Sequence, residues 1–486
     1  MSRQRLVFLA MVSAAALTGC QKEDLTPPPP AQSLTARAGA DQDVLPASAV
    51  TLDGSTSTGE GTLTYHWTIV RKPSNSTLTL GSATSAKPSF TPDIVGYYEF
   101  ELTVRTATDK STDRVQVKAE YPNPVTLDKD ITANTRLFDR LIDPAKPDYI
   151  VAKDIAVKAE LLVDRDVTMA FERDKRLTIE EKGVLNASGT AEQRIRLTGT
   201  SAQKSFWAGV SLYSPSTANS LAFVDVEYAG SRIAFTNTKA GLALFGNTKA
   251  QLALTDCRFL NNDGYGLYVQ NGSVLRQFAR NTFKGQNEAP VLIDAYNATL
   301  LDAATTFTGQ NGRDVVEISS SSITGTQDVR WPAFADKTPY RLLGNVDVTA
   351  GWTLQPGVTV EVARDAMITI NKGGYLSAKG TTEQRVTLTG SARANAHWKG
   401  LIVYSVSNLT VLDQADISGA GSTALVSGQR GALAVYGKGA KLTVKNSRIS
   451  GSGGYGILYT ADAELNSDAG STNTFSGNAQ GNTYKL

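Results

Sequence analysis

From Val50 onward the chain reads as short alternations of apolar and polar residues. Val50 and Leu52 alternate with polar neighbours until Asp53-Gly54-Ser55 breaks the run. Leu63, Tyr65, Trp67 and Ile69 share one face of the next run. Tyr98, Phe100, Leu102 and Val104 share one face of a later run that follows Gly96. A period of two is what a half-buried strand requires. Short strands at this spacing predict a β-sandwich over residues 33–120.

Beyond residue 125 the alternation continues in shorter runs, such as "LALTD", "GLYVQ", "VLIDA" and "VVEIS", separated by Gly, Asn and Ser. No helical period intervenes. "TFKGQN" at 282–287 returns as "TFTGQN" at 306–311, 24 residues later. "GTAEQRIRLTG" at 189–199 returns as "GTTEQRVTLTG" at 380–390, 191 residues later. The longer offset also relates Tyr149 to Tyr340, Trp207 and Gly209 to Trp398 and Gly400, and Asp225 to Asp416. With a slip of one it relates Tyr265 to Tyr455. A copy of that breadth is a copied scaffold, not one copied site. Short strands recurring about every 24 residues without helices predict a parallel β-helix over residues 125–486. That makes roughly 15 coils, on the order of 70 Å long. Asn261 and Asn262 suit the turns.

The stretches LDGS at 52–55, YHW at 65–67 and GYYEFELTV at 96–104 resemble the PKD family of immunoglobulin-like modules. The resemblance implies a spacer or adhesion module with Trp67 in its core and no catalytic residues. Residues 125–486 resemble the right-handed parallel β-helix repeat proteins of bacterial surfaces. The expected fold class is therefore all-β: an immunoglobulin-like sandwich, then a right-handed β-helix solenoid. Many β-helix relatives bind or cleave polysaccharides, but fold alone does not transfer an activity.

The N-terminus carries a different message. Arg3 and Arg5 precede an apolar run from Leu6 to Leu17, too short to span a membrane comfortably. Leu17-Thr18-Gly19-Cys20 resembles the lipobox of bacterial lipoproteins. This implies a signal peptide over 1–19 and lipidation at Cys20, with the membrane as partner through the acyl chains. Gln21-Lys22-Glu23-Asp24 resembles a surface-export tag, which implies an outer-membrane protein exposed at the cell surface. Pro27 to Pro30 stiffen the linker over 20–32. The chain has 48 Lys+Arg against 46 Asp+Glu, and loss of Arg3 and Arg5 with the signal peptide balances them. That balance argues against a nucleic-acid partner. Cys257 is the one other cysteine and is expected to be a small buried residue.

Candidate chemistry is sparse. Asp256, Arg258 and Asp263, close to Tyr265, form the best acidic and basic cluster and are the catalytic candidates. Their counterparts are Asn446, Arg448 and Gly453, close to Tyr455. Trp207, Trp398, Tyr265 and Tyr455 are the carbohydrate-binding candidates, since aromatic rings stack on sugar C–H faces. The two tryptophans also fit packing over a coil corner. His66, beside Trp67, is expected to be exposed, and His397 to sit in a surface turn. Asp225 and Asp416 are expected in turns or on the surface. No metal ligands are assigned and no cofactor is expected, with calcium the one ion left open. The reading leans to a non-enzymatic surface rod that binds carbohydrate or matrix material. A polysaccharide lyase or glycoside hydrolase comes second, and a purely structural envelope component third.

Overall fold

The computed structural model describes residues 33–319, 321–325 and 328–486, so the signal peptide, Cys20 and linker lie outside it. The chain divides after Ala119 into two compact units. Among the described residues there is no α-helix, only strands and two short 3-10 turns.

The N-terminal unit is an immunoglobulin-like sandwich. Its larger sheet holds Gln42–Val44, Lys110–Ala119, Gly96–Arg105 and Thr64–Arg71 in that order. Val50–Thr51 and Ser89–Phe90 make the smaller pair. The alternation read from sequence is what fills the core: Leu52, Trp67, Tyr98, Phe100, Leu102 and Val104 are all buried. Trp67 donates its indole N–H to the Ser85 carbonyl at 3.1 Å. The Tyr98 hydroxyl is tied to the Ile94 carbonyl at 2.8 Å and to Asp93 at 2.9 Å, which closes a corner of the sandwich. The break at LDGS is an Asx turn: the Asp53 carboxylate accepts the Ser55 N–H at 2.9 Å and meets Lys87 at 2.7 Å.

The second unit is a parallel β-helix. A 13-stranded parallel sheet runs from Ile155–Val157 to Thr474–Ser476. In the first half it is flanked by a six-stranded sheet (Thr135–Leu137 to Val274–Ala279) and a seven-stranded one (Val125–Leu127 to Thr282–Lys284). In the second half the flanks are a seven-stranded sheet (Ser321–Ile323 to Gly481–Lys485) and a six-stranded one (Val329–Trp331 to Glu464–Leu465). Thirteen strands in the long sheet correct the expected count of about 15 coils. The coils are uneven. Tyr340 is stacked on Val360, 20 residues on, whereas Leu177 is stacked on Val210, 33 residues on. Corner loops absorb the difference.

The 24-residue echo becomes an aromatic ladder. Phe259 stacks on Phe283 at 4.8 Å, and Phe283 on Phe307 at 5.6 Å. Phe307 meets Phe334, and Trp331, Tyr340 and Trp352 continue the filling where the two copies join. These rings compensate for a coil in which the short turn Asn297–Leu300 stands in place of a strand.

The 191-residue duplication keeps its strand boundaries yet is turned in space. Thr168–Phe171 and its copy Thr359–Val362 lie in different sheets. The first sits in a flanking sheet, the second in the long one. Likewise Ile155–Val157 lies in the long sheet while its copy Val346–Val348 lies in a flank. The second copy is therefore rotated by one side of the three-sided coil. Equivalent residues face different directions.

Candidate binding surface on the β-helix

The catalytic candidates do not converge. Asp256 holds Arg280 through two hydrogen bonds of 2.8 and 2.6 Å. Arg258 leans towards Asp225 at 3.8 Å. Asp263 accepts from Lys239 at 2.7 Å, Ser205 at 2.8 Å and Asn287 at 2.8 Å. The two acids sit in turns on opposite sides of the Arg258–Leu260 strand, so shared sequence neighbourhood does not make a shared site. Each carboxylate is committed to a cation from a neighbouring turn or coil. Among the described residues no three His, Cys, Asp or Glu side chains gather as a metal would need, so calcium finds no such donor set there.

The repeated Arg of the 191-residue echo has a structural role. Arg194 lies 2.7 Å from Asp225, and Arg385 lies 2.7 Å from Asp416. Each arginine also caps a carbonyl on a further coil, Asp256 and Asn446 respectively, at 2.8 and 2.9 Å. Asp225 and Asp416 are thus strand residues in an inter-coil ladder, a correction to the turn or surface placement. The reason is the parallel register, which sets Arg196, Asp225 and Arg258 side by side on successive strands.

Trp207 and Trp398 are fully buried and cannot meet a sugar, which removes them as carbohydrate platforms. Trp207 stacks on Phe171 at 4.1 Å and donates to the Glu227 carbonyl at 2.7 Å; Trp398 donates to the Ser418 carbonyl at 2.8 Å. The glycine two residues on explains the motif. Gly209 has φ +93, and a Cβ there would stand 2.7 Å from the Ala240 carbonyl oxygen. The chain turns inward at this corner and takes the indole with it. Tyr265 is also buried, its hydroxyl 2.7 Å from Glu317. Burial and then the Glu317 carboxylate push its pKa up. Tyr455 is only half-buried and stacks on the exposed Tyr484 at 4.6 Å.

His66 is exposed, whereas His397 is buried, a correction to the surface-turn placement. It takes the place of Phe206 beneath the corner, against Gly390. Its Nε2 lies 3.0 Å from Ser391 Oγ, but Nδ1 has no partner, so no carboxylate orients the ring as a catalytic base. Burial, then the nearby Arg364, lowers its pKa. Cys257 is buried, with its thiol pushed up to about 12 by desolvation, which leaves it unreactive as a nucleophile.

What does reach the surface is a feature the sequence reading missed. On the outer side of the long sheet Ala243, Tyr268 and Leu292 form an apolar strip with Phe245. A hairpin closed by Phe235 and Thr238 folds over it. Phe235 stacks on Tyr268 at 6.2 Å, Tyr213 stacks on Phe245 at 4.2 Å, and Ile233 and Phe235 remain exposed. The second copy repeats the arrangement with Ile402, Ala434 and Leu458, covered by Leu425 and Val426 of an equivalent hairpin and flanked by Tyr404, Tyr436 and Tyr455. The two patches lie about seven coils apart along the stack, roughly 34 Å at the strand spacing. They occupy different sides of the coil. The cue was available at Tyr213/Tyr404, a matched pair one position outside a strand.

Fold and surface together define an all-β protein with an immunoglobulin-like module ahead of a duplicated parallel β-helix. The N-terminal unit belongs to the PKD domain family: a family model describing a PKD domain matches residues 38–118. The solution structure of the PKD domain from KIAA 1837 protein is similar at 33% identity, over 19% of this chain and 93% of that one, with a TM-score of 0.18. A PKD domain from human KIAA0319 is similar at 21% identity, over 21% of this chain and 97% of that one, with a TM-score of 0.17. A nucleoside hydrolase-related hypothetical protein from Saccharophagus degradans, associated with carbohydrate metabolism, matches at 20% identity over 17% of this chain and 22% of that one, TM-score 0.16. No curated protein matches the chain.

Proposed function

We propose that this is a lipid-anchored, cell-surface protein whose β-helix is a non-catalytic binding rod for carbohydrate or matrix material. The observation that carries the reading is the outward apolar and aromatic patch, built twice from equivalent residues on two sides of the coil. A catalytic centre needs acids and bases free to exchange protons with a ligand. Here the candidate acids are each bound to a cation of the protein. A binding rod needs accessible rings and repeated geometry, and two patches on one rigid stack allow a long polymer to be held at two points, which multiplies weak contacts. The lipobox at Cys20 and the charged tag after it support tethering at the surface, with the PKD unit as spacer.

The test is a glycan array on the mature chain, run beside reducing-sugar and unsaturated-product assays. Binding without turnover is expected. Turnover that disappears in Asp256→Ala or Arg258→Ala would replace this reading with an enzymatic one. Protease treatment of intact cells should release the folded rod; retention in the inner membrane after fractionation would remove the surface placement.

A further inference from the structure

In the first copy, the corner between the Thr168–Phe171 and Arg176–Ile179 strands holds an open depression. Lys153, Asp154, Asp174, Lys175, Ser231 and Arg232 line it. It exists because the turns of the first two coils are short while the hairpin after Glu227 is long and leans back across them. Two clamps hold that hairpin down. Arg232 reaches Asp154 at 2.8 Å and the Asp174 carbonyl at 3.0 Å, and Arg176 donates to the Ile233 carbonyl at 2.8 Å.

The clamps use up one cation and one carboxylate and leave others over. Among the described residues neither Lys153 nor Lys175 has a carboxylate within 4.0 Å. Beneath the hairpin the Ser231 hydroxyl and the Arg176 Nε are buried with no hydrogen-bond partner. Burial, followed by the like charge of Arg232, lowers the Arg176 pKa, so positive potential accumulates at this corner. Unpaired donors and uncompensated cations in one recess are what an oxyanion satisfies.

The second copy provides an internal comparison. By the 191-residue offset the six lining positions become Gly344, Asn345, Asp365, Ala366, Ser422 and Thr423. Both lysines and the clamping arginine are gone. Ser422 keeps an orphaned hydroxyl, so that feature belongs to the copied frame. The lysines belong to the first copy alone.

We propose that this depression is a binding site for a carboxylate or sulfate group of an acidic glycan, with Lys153 and Lys175 as the cationic contacts. The proposal rests on the binding-rod reading and names its substrate class. The choice of glycan over nucleic acid follows from the surroundings. Two acids flank the lysines, so the recess suits one isolated anionic group and not a continuous phosphate track. The exposed Ile233 and Phe235 rise from the same hairpin and offer an apolar face to a sugar ring.

The test uses the mature chain with polygalacturonate as the carboxylate arm, dextran sulfate as the sulfate arm, and dextran and duplex DNA as controls. Binding to at least one acidic glycan, weakening with salt, is expected. Lys153→Gln with Lys175→Gln should weaken it about tenfold or more, the scale of a lost charged contact. Thermal unfolding should be unchanged, because both lysines are surface residues outside the ladder. Gly344→Lys with Ala366→Lys in the second copy should leave the parent affinity intact or raise it. Binding to dextran that equals or exceeds binding to both acidic glycans would overturn the site and leave the rod reading standing. So would acidic-glycan binding that the double variant does not change, or DNA binding of equal strength. No binding to any glycan would overturn both.

Discussion

Arg194 sets its guanidinium 2.7 Å from the carboxylate of Asp225, one coil away, with both side chains largely buried. The contact recurs as Arg385 and Asp416 at 2.7 Å, but there Asp416 is 28% exposed. Removing one partner of a buried pair strands the other without solvent, whereas water partly replaces a partner lost near the surface. Asp225→Ala should therefore cost about 3 kcal/mol, and Asp416→Ala about 1 kcal/mol. Urea midpoints of the two variants check the order. Equal losses would mean the ladder does not depend on burial.

Trp207 offers no surface, and its effect should be on stability alone. The ring stacks on Phe171 and its N–H is spent on a carbonyl. Trp207→Ala should cost about 3–5 kcal/mol, the range for a large buried aromatic. All five tryptophans are buried, so emission should be blue-shifted, poorly quenched by acrylamide and unchanged by glycan. A shift in emission on adding a sugar would restore the stacking role that burial denies.

The contrast between Trp67 and Trp207 shows what the sequence could reveal. In the PKD unit, alternation decides burial: Trp67 is in phase with Tyr65 and Ile69, and it is the core ring. At a coil corner no period applies. There the φ +93 of Gly209 and the length of the following loop turn the indole inward. The 24-residue echo was legible because its phenylalanines stack one coil apart. The pairing of Arg194 with Asp225, 31 residues on, was not, because coil lengths vary and register follows from them. Nor could the sequence reveal the rotation of the second copy, which arises where one coil loses a strand to the turn Asn297–Leu300. His397 misled for a related reason: a polar residue occupies the corner position that Phe206 holds in the other copy.

The hairpin that carries Phe235 hangs on a glycine. Gly230 has φ +94, and a Cβ there would stand 1.9 Å from the Asp263 carbonyl oxygen. Gly428, in the second hairpin, has φ +73 and open space around it. Gly428→Ala should cost about 1 kcal/mol, the penalty of left-handed backbone alone. Gly230→Ala adds a backbone clash and should cost several times that, releasing the hairpin. Limited proteolysis within residues 231–238 reads the difference directly. Comparable resistance in the two variants would show that the close approach is relieved at little cost.

Stability should also report on Asp139, near the first coil. Its carboxyl is pushed up to about 8 by burial first, then by the neighbouring charges of Asp148 and Asp166. Asp148 is raised as well, mainly by burial, although it accepts backbone N–H groups of Arg140, Leu141 and Thr168 at 2.7–2.9 Å. An acid whose folded pKa is raised holds its proton in the native state after the unfolded chain has released it. Between the unfolded value near 3.8 and the folded value of about 8 the native state binds the extra proton. Stability therefore falls as pH rises through that window, and the contribution is gone above it. Asp139→Asn keeps the shape and removes the titration. The variant should match the parent near pH 4, exceed it at pH 8, and show a shallower decline between. The decline should not vanish, because Asp148 titrates in the same sense. Thermal midpoints at pH 4, 6 and 8 settle the matter: a variant that tracks the parent across all three would mean Asp139 is ionised in the folded protein.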